Sequence, residues 1–304
     1  MERVVVVGTG AVARALVPAL VAQGVQVRVR SRSTRRAAAF CDELVRGGGR
    51  GSSRAMRAGR DTSTEETRAT CSPEGAEPLV GGLLLLAVPD RAIATAARAA
   101  AERGDRPEVV LHLSGYHDSS VLAPLSESCP RLGFAHPLGS FPPEGPPLAT
   151  GLTWCCGGSS EEAARAATEL ASLLGGRPLH LREADGAKAR YHAAASLVAG
   201  GSAALLHLAE QLAAEAVDDP TALRAGLTDL LASMLENARA HGPVAALTGP
   251  AARGDEAVVE GHLATMDPAT AAVYRALLEP MRAMAAERGA GAGPPSEPGA
   301  AERS

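Results

Sequence analysis

The chain has 304 residues, enough for two domains that each bury a core. Apolar residues make up 46%, which excludes disorder of the whole chain, and aromatics only 2%, which argues against a stacking platform for single-stranded nucleic acid. A net charge of −4 gives no general attraction to nucleic acid or to an anionic membrane surface.

The opening run, residues 3–7, is short and β-branched, as expected of a buried parallel strand. It is too short for a signal peptide, and no apolar run reaches the length expected of a membrane span. Gly8-Thr9-Gly10 breaks the strand. Residues 11–23 then read as a helix that stops at Gly24, with Pro18 awkward inside it. Residues 26–30 alternate apolar and polar residues as a second strand would. Residues 46–60 hold five arginines and five glycines, and the whole segment 46–78 reads as a flexible insertion, more a solvated loop than a binding tract.

Order returns with a strand at 83–88, which Pro89-Asp90 ends, Asp90 being placed to cap a helix running to about Arg103. Further strands are expected at 109–113, 132–135, 152–156 and 177–181. A Pro/Gly-rich loop fills 137–147, and a capping box, Ser159-x-x-Glu162, opens a helix that ends at Gly175-Gly176. After that only helices follow: 185–216 with an apolar stripe through Leu197, Val198, Leu205, Leu208 and Leu212, then starts at Asp219-Pro220, Asp255 and Asp267-Pro268. The helix from Pro220 carries the stripe Leu223, Leu227, Leu230, Met234 and Leu235. The pattern predicts an α/β fold, a Rossmann-type doubly wound parallel sheet over 1–183, followed by an all-helical domain over 184–288 and a disordered tail, 289–304. The five cysteines, Cys41, Cys71, Cys129, Cys155 and Cys156, show no regular spacing and suggest reduced thiols in the cytoplasm. His112, His117 and Cys129 fit no usual zinc spacing, so no metal is expected.

Residues 8–13 match G-x-G-x-x-A. Gly8 permits the tight turn, Gly10 lets backbone approach a pyrophosphate, and Ala13 lets helix and strand pack closely. The N–H groups of Thr9, Ala11 and Val12 would face the phosphates. The match follows a strand, opens a helix and precedes a second strand, which makes it informative. The second strand runs into Ser31-Arg32-Ser33, with no acidic residue before Asp42. A carboxylate would repel a ribose 2′-phosphate and a guanidinium would bind it, so the expected cofactor is NADP.

Ligands in such folds lie beyond the carboxyl ends of the strands, which selects Val88-Pro89, Ser114-Gly115 and the segment holding His136. Lys188 is the only lysine in the chain and lies four residues before His192, so both project from one helix face. Partial burial would bring its pKa into a useful range for proton donation. Lys188, His192 and Ser114 form the expected catalytic group, with Gly115, His136 and Arg253 binding substrate. Arg253 could instead pair with Asp255 or Glu256.

These segments, at 7–13, 85–90, 113–115, 134–141, 188–195 and 246–255, carry a family resemblance. The chain resembles a bacterial family with a Rossmann-like N-terminal domain and a C-terminal domain of unknown function, both similar to the 6-phosphogluconate dehydrogenase-like superfamily. The resemblance implies an NADP-dependent oxidoreductase acting on a small carboxylate substrate, since some relatives look like an alternative form of ketopantoate reductase. It further implies that Ser114-Gly115 binds the substrate carboxylate. A Lys-x-x-x-Asn pair is usual on the interdomain helix, but here His192 stands in place of Asn. In relatives such as pyrroline-5-carboxylate reductase a loop like 247–255 comes from a second subunit, and a homodimer is the expected assembly. Reduction of a cyclic imine and a non-catalytic NADP-binding role are the alternatives.

Overall fold

The computed structural model describes residues 1–47, 69–73, 77–143, 148–181 and 185–291. By internal contacts the chain divides into two compact units, Met1–Leu197 and Val198–Ser304. The division falls inside the long helix rather than near residue 183, because the first turns of that helix pack against the sheet.

In the first unit, β1 (Arg3–Val7), α1 (Ala11–Ala22) and β2 (Gln26–Ser31) form the expected β-α-β unit, and α1 continues through Pro18. A helix not read from sequence, α2 (Thr34–Gly47), follows directly. Its outer face is charged, and Ser33 Oγ accepts the Arg36 N–H at its start. β3 (Ala69–Pro73) then pairs parallel with β2. The segment expected to lack regular structure therefore contributes an edge strand, and the rest of 48–68 lies outside the described residues.

β4 (Leu83–Leu86), α3 (Ile93–Glu102), β5 (Val109–His112), β6 (Leu132–Pro137), β7 (Thr153–Gly158), α4 (Glu161–Leu173) and β8 (Arg177–His180) complete the unit. The strands lie in the order β3-β2-β1-β4-β5-β6-β7-β8. All pairings are parallel except β6 with β7, which is antiparallel. Two local expectations are corrected. Asp90 makes no capping bond; it opens a single 3-10 turn, Asp90–Ala92, that leads into α3. The cap of α4 is Ser160, whose hydroxyl accepts the Ala163 N–H, while Ser159 Oγ instead accepts the Leu132 N–H.

Valines and leucines of β1, β4 and β5 face both ways and fill two cores. One lies under α1 and α4 around Leu16, Leu20, Leu85 and Trp154, and the other lies under α3 around Leu84, Leu86, Ile93 and Leu122. A buried polar clamp ties the parts together. Arg30, 1% exposed, donates to Asp105 at 2.8 Å and to the Glu77 carbonyl at 2.8 Å, and Asp105 also accepts from Arg103 and from the Leu79 N–H.

The second unit is helical. It holds the remainder of α5 (Ala187–Ala213), α6 (Pro220–His241), α7 (Pro243–Ala246), α8 (Pro250–Arg253), α9 (Glu256–Ala264) and α10 (Pro268–Gly291). Asp219 caps α6 through the N–H groups of Thr221 and Ala222. A bidentate pair from Arg224 to Glu210 joins α6 to α5. The predicted apolar stripes exist but are not covered: Leu197 is 76% exposed and Leu230 68%, and no residue of α6 is buried. α10 is still helical at 289–291, and the rest of the expected tail lies outside the described residues. By length and composition the helical run Ala187–Ala216 could cross a membrane. The sequence reading missed this because alanine and glycine, not an unbroken run of large apolar residues, make it apolar.

Replacing Asp105 by Ala leaves the Arg30 guanidinium buried without its carboxylate. Denaturant unfolding is expected to show a loss of about 3–5 kcal/mol. A change below 1 kcal/mol would contradict the clamp.

Candidate functional site

The expected site residues of the first unit lie at the carboxyl ends of β1, β2, β4, β5 and β6 and on the first turns of α5. At β1, Gly8 has φ +125°, and a Cβ there would lie 2.1 Å from the Ala87 carbonyl oxygen, so the fold itself demands glycine. Gly10 is different. Its φ is −78°, and a Cβ built on it would touch nothing within 4 Å. The apo fold does not need glycine at that position, but a ligand approaching the backbone there does. The same turn opens α1, whose first-turn N–H groups receive no side-chain cap and face no acidic residue. Ala13 is fully buried against the sheet, as the motif requires. A diphosphate fits this cradle, with Thr9, Ala11 and Val12 around it.

Beside the turn, Ser31 and Ser33 are partly buried and Arg32 is exposed, while α2 has no acidic residue in its first turn. The Ser33 N–H reaches Ser31 Oγ at 3.4 Å, which shapes a small basic turn able to take a phosphate. Val88 packs next to Gly8, its Cγ1 3.4 Å from the position a Gly8 Cβ would take, and Pro89 follows in extended conformation.

The second cluster sits on β5, β6, β7 and the first turns of α5. Alternation along β6 puts Phe134 and His136 on one sheet face, and the antiparallel register sets Cys155 opposite His136. Cys156 points the other way, into the core; its Sγ reaches the Ala167 carbonyl. On α5, Lys188, Tyr191 and His192 fall on one face by the i, i+3, i+4 rule and close over the β6 and β7 side chains.

Lys188 is 7% exposed, and among the described residues it forms no ion pair with a carboxylate. Its Nζ lies 4.0 Å from the Phe134 ring centroid, 5.4 Å from that of Tyr191, and 3.9 Å from Cys155 Sγ, to which it donates. Burial pushes its pKa down to about 8, opposed by the pull of Cys155. Burial also raises the Cys155 thiol, so that group stays neutral.

Two histidines near it, His112 and His136, are neutral. His112 is pushed down to about 4 by burial, with the Lys188 charge adding to the effect. Its Nδ1 accepts the Ser114 N–H at 3.2 Å, so its ring hydrogen sits on Nε2 and is donated to the Asp118 carbonyl at 2.9 Å. His136 is pushed down to about 4 by burial and then by Lys188. Its Nδ1 meets the Tyr191 hydroxyl at 2.9 Å.

Ser114 Oγ accepts the N–H groups of Tyr116 and His117, each at 3.0 Å, which holds the turn and leaves the hydroxyl hydrogen for a ligand. A Cβ on Gly115 would fall 2.4 Å from His192 Cδ2 and 2.9 Å from His136 Nε2. Glycine at 115 is thus what allows both imidazoles to converge.

The structure therefore brings together Ser114, Gly115, His136, Lys188 and His192. Arg253 belongs to the second unit, where its Nε donates to Asp255 at 2.9 Å, the ion-pairing alternative. Sequence reasoning missed Phe134, Tyr191 and Cys155 as neighbours of Lys188. Tyr191, three residues after Lys188, was legible from helical spacing alone. Cys155 was not, because its position depends on β7 running antiparallel.

Comparison with known proteins adds the fold. The model of a family described as a domain of unknown function, DUF2520, matches residues 152–280. A crystal structure from Bacteroides fragilis, provisionally named an NADP oxidoreductase, is similar at 22% identity and TM-score 0.70, over 93% of this chain and 98% of that one. A protein of Thermotoga maritima is similar at 22% identity and TM-score 0.67, over 94% and 99%. No curated protein matches the sequence. The chain has the Rossmann-type doubly wound sheet followed by a helical domain that these structures share.

A lysine held at about 8 against an ordinary 10.5 costs folding free energy wherever it is charged in the native state. The penalty is full below pH 8 and fades as pH rises from there towards 10.5. Lys188→Met is expected to stabilise the protein at pH 7 by roughly 2–3 kcal/mol in denaturant unfolding, with the gain shrinking towards pH 10. Destabilisation at pH 7 would contradict the burial argument.

Proposed function

We propose that the chain is an NADP-dependent oxidoreductase that reduces the carbonyl of a small carboxylate substrate, a 2-oxoacid such as ketopantoate. The observation that carries this reading is the one lysine of the chain, buried with no ion pair to a carboxylate among the described residues, beside a neutral histidine at the carboxyl ends of a dinucleotide-type sheet. Structural lysines are seldom buried unpaired. A proton donor poised near neutral pH is a functional reason for the exception.

A bound NADPH, with its diphosphate over the Gly8–Gly10 turn, would supply the hydride. The residues of the chain do the rest. The α1 N-terminus and Gly10 hold the diphosphate, and Ser31, Arg32 and Ser33 bind the 2′-phosphate. Ser114 donates its hydroxyl to the substrate carboxylate. Lys188, as ammonium, stabilises the developing alkoxide and delivers its proton to that oxygen, while Phe134 and the Cys155 thiol keep the ammonium in place without neutralising it. The uncovered apolar stripes on α5 and α6 support a homodimer, in which a second copy would bury Leu205, Leu230 and Met234, each more than 40% exposed in the single chain.

Purified protein given NADPH and a panel of 2-oxoacids is expected to oxidise NADPH with at least one of them, ketopantoate being the first choice. The rate of reduction should be level below pH 8 and fall tenfold per pH unit above it, as Lys188 loses its proton. Arg32→Asp should weaken NADPH binding about 10- to 100-fold and leave NADH binding nearly unchanged. NADPH binding without oxidation across the panel would overturn the catalytic reading. Equal loss of both cofactors in Arg32→Asp would overturn the phosphate assignment.

A further inference from the structure

We propose that Tyr191 is a positioning residue that fixes the ring tautomer of His136, so that His136 carries its hydrogen on Nε2 and donates it to the substrate oxygen. The inference rests on the proposed carbonyl reduction and assigns a second hydrogen-bond donor to the same site.

The two rings meet edge to face, with centroids 5.6 Å apart and an interplanar angle of 86°, and the phenol oxygen lies 2.9 Å from His136 Nδ1. That contact has two possible polarities. In one, Nδ1–H donates to the phenol oxygen, and Nε2 carries a lone pair. In the other, the phenol O–H donates to Nδ1, and Nε2 must hold the ring hydrogen.

The surroundings select the second. The Lys188 ammonium lies over the Tyr191 ring and has no lone pair to accept the phenol hydrogen. Among the described residues, Nδ1 of His136 is the one hydrogen-bond partner of this hydroxyl. If Nδ1–H were the donor, a half-buried O–H would be left without an acceptor, which is costly. Burial raises the Tyr191 pKa and holds it in the phenol form, and burial likewise holds His136 neutral. A second imidazole in the same cluster shows the same pattern: His112 accepts at Nδ1 and donates at Nε2.

The consequence falls at Nε2. This nitrogen lies 2.9 Å from the position that a Cβ on Gly115 would take, so it faces the space that the absence of a side chain keeps open beside Ser114. A neutral imidazole N–H aimed there is a donor to a carbonyl oxygen that carries increasing negative charge during reduction. The proton itself comes from Lys188. His136 supplies a hydrogen bond, so it stays neutral throughout, and Tyr191 acts only through it.

The test uses the full chain with 15N-labelled histidine. His136 signals are assigned by their loss in His136→Asn, and the ring nitrogen shifts of the free protein at neutral pH report the tautomer directly. The expected wild-type result is a protonated Nε2 and an unprotonated Nδ1. In Tyr191→Phe, which keeps the ring and its packing, the Nδ1–H form is expected to grow. With it, kcat for reduction should fall about 10- to 100-fold while KM changes little. A wild-type His136 protonated at Nδ1 overturns the proposal, and so does a Tyr191→Phe variant with unchanged tautomer and unchanged kcat. If the wild type reduces no 2-oxoacid, the functional reading fails, yet the ring shifts still decide the tautomer.

Discussion

A buried ammonium group with no ion pair among the described residues is the constraint around which the first unit is arranged. Removing a charge from water is expensive, and a carboxylate partner would repay part of the cost but would also raise the pKa of Lys188 and quench it as an acid. The fold uses weaker partners instead. The Phe134 ring lies under Nζ at 4.0 Å, and the Cys155 thiol, kept neutral by burial, accepts across 3.9 Å. Phe134 owes its seat to Gly157, where a Cβ would come within 2.4 Å of the ring. The charge on Lys188 in turn helps to keep His112 and His136 neutral. In the proposed reaction, proton donor and hydrogen-bond donors are thereby separated by environment rather than by residue type.

Three glycines show how the same residue serves three different physical ends. Gly8 is dictated by backbone crowding against Ala87. Gly115 makes room for two imidazoles from β6 and α5. Gly10 relieves nothing inside the chain, and its open flank lies over the uncapped start of α1. The first two preserve the fold and the cluster; the third matters only to an incoming group, which is the strongest structural sign that the turn is a binding site.

Much of this architecture was legible in the sequence. The β-branched run, the G-x-G-x-x-A turn and the alternation of strands and helices specify the doubly wound sheet through local periodicity, and the stop in strand signals marks the helical region. The failures share a cause. α2 and β3 flank an Arg/Gly-rich stretch whose composition masked the helix and strand at its borders. β7 runs antiparallel to β6, a direction that no periodicity encodes, and the Cys155–Lys188 contact was hidden with it. The stripes on α5 and α6 were legible as apolar from helical spacing, and within one chain they remain uncovered. Spacing could place Lys188 and His192 on one face, but only the packing of α5 on β6 reveals that Tyr191 touches His136.

Because Lys188 is the only lysine, incorporation of lysine labelled with 13C at Cε gives a single side-chain signal that reports this group alone. Following that signal against pH in the free protein measures the burial of the charge directly. The structure predicts a midpoint close to 8. A midpoint near the ordinary value of 10.5 would mean that the ammonium is solvated, and the account of the site built on it would fall.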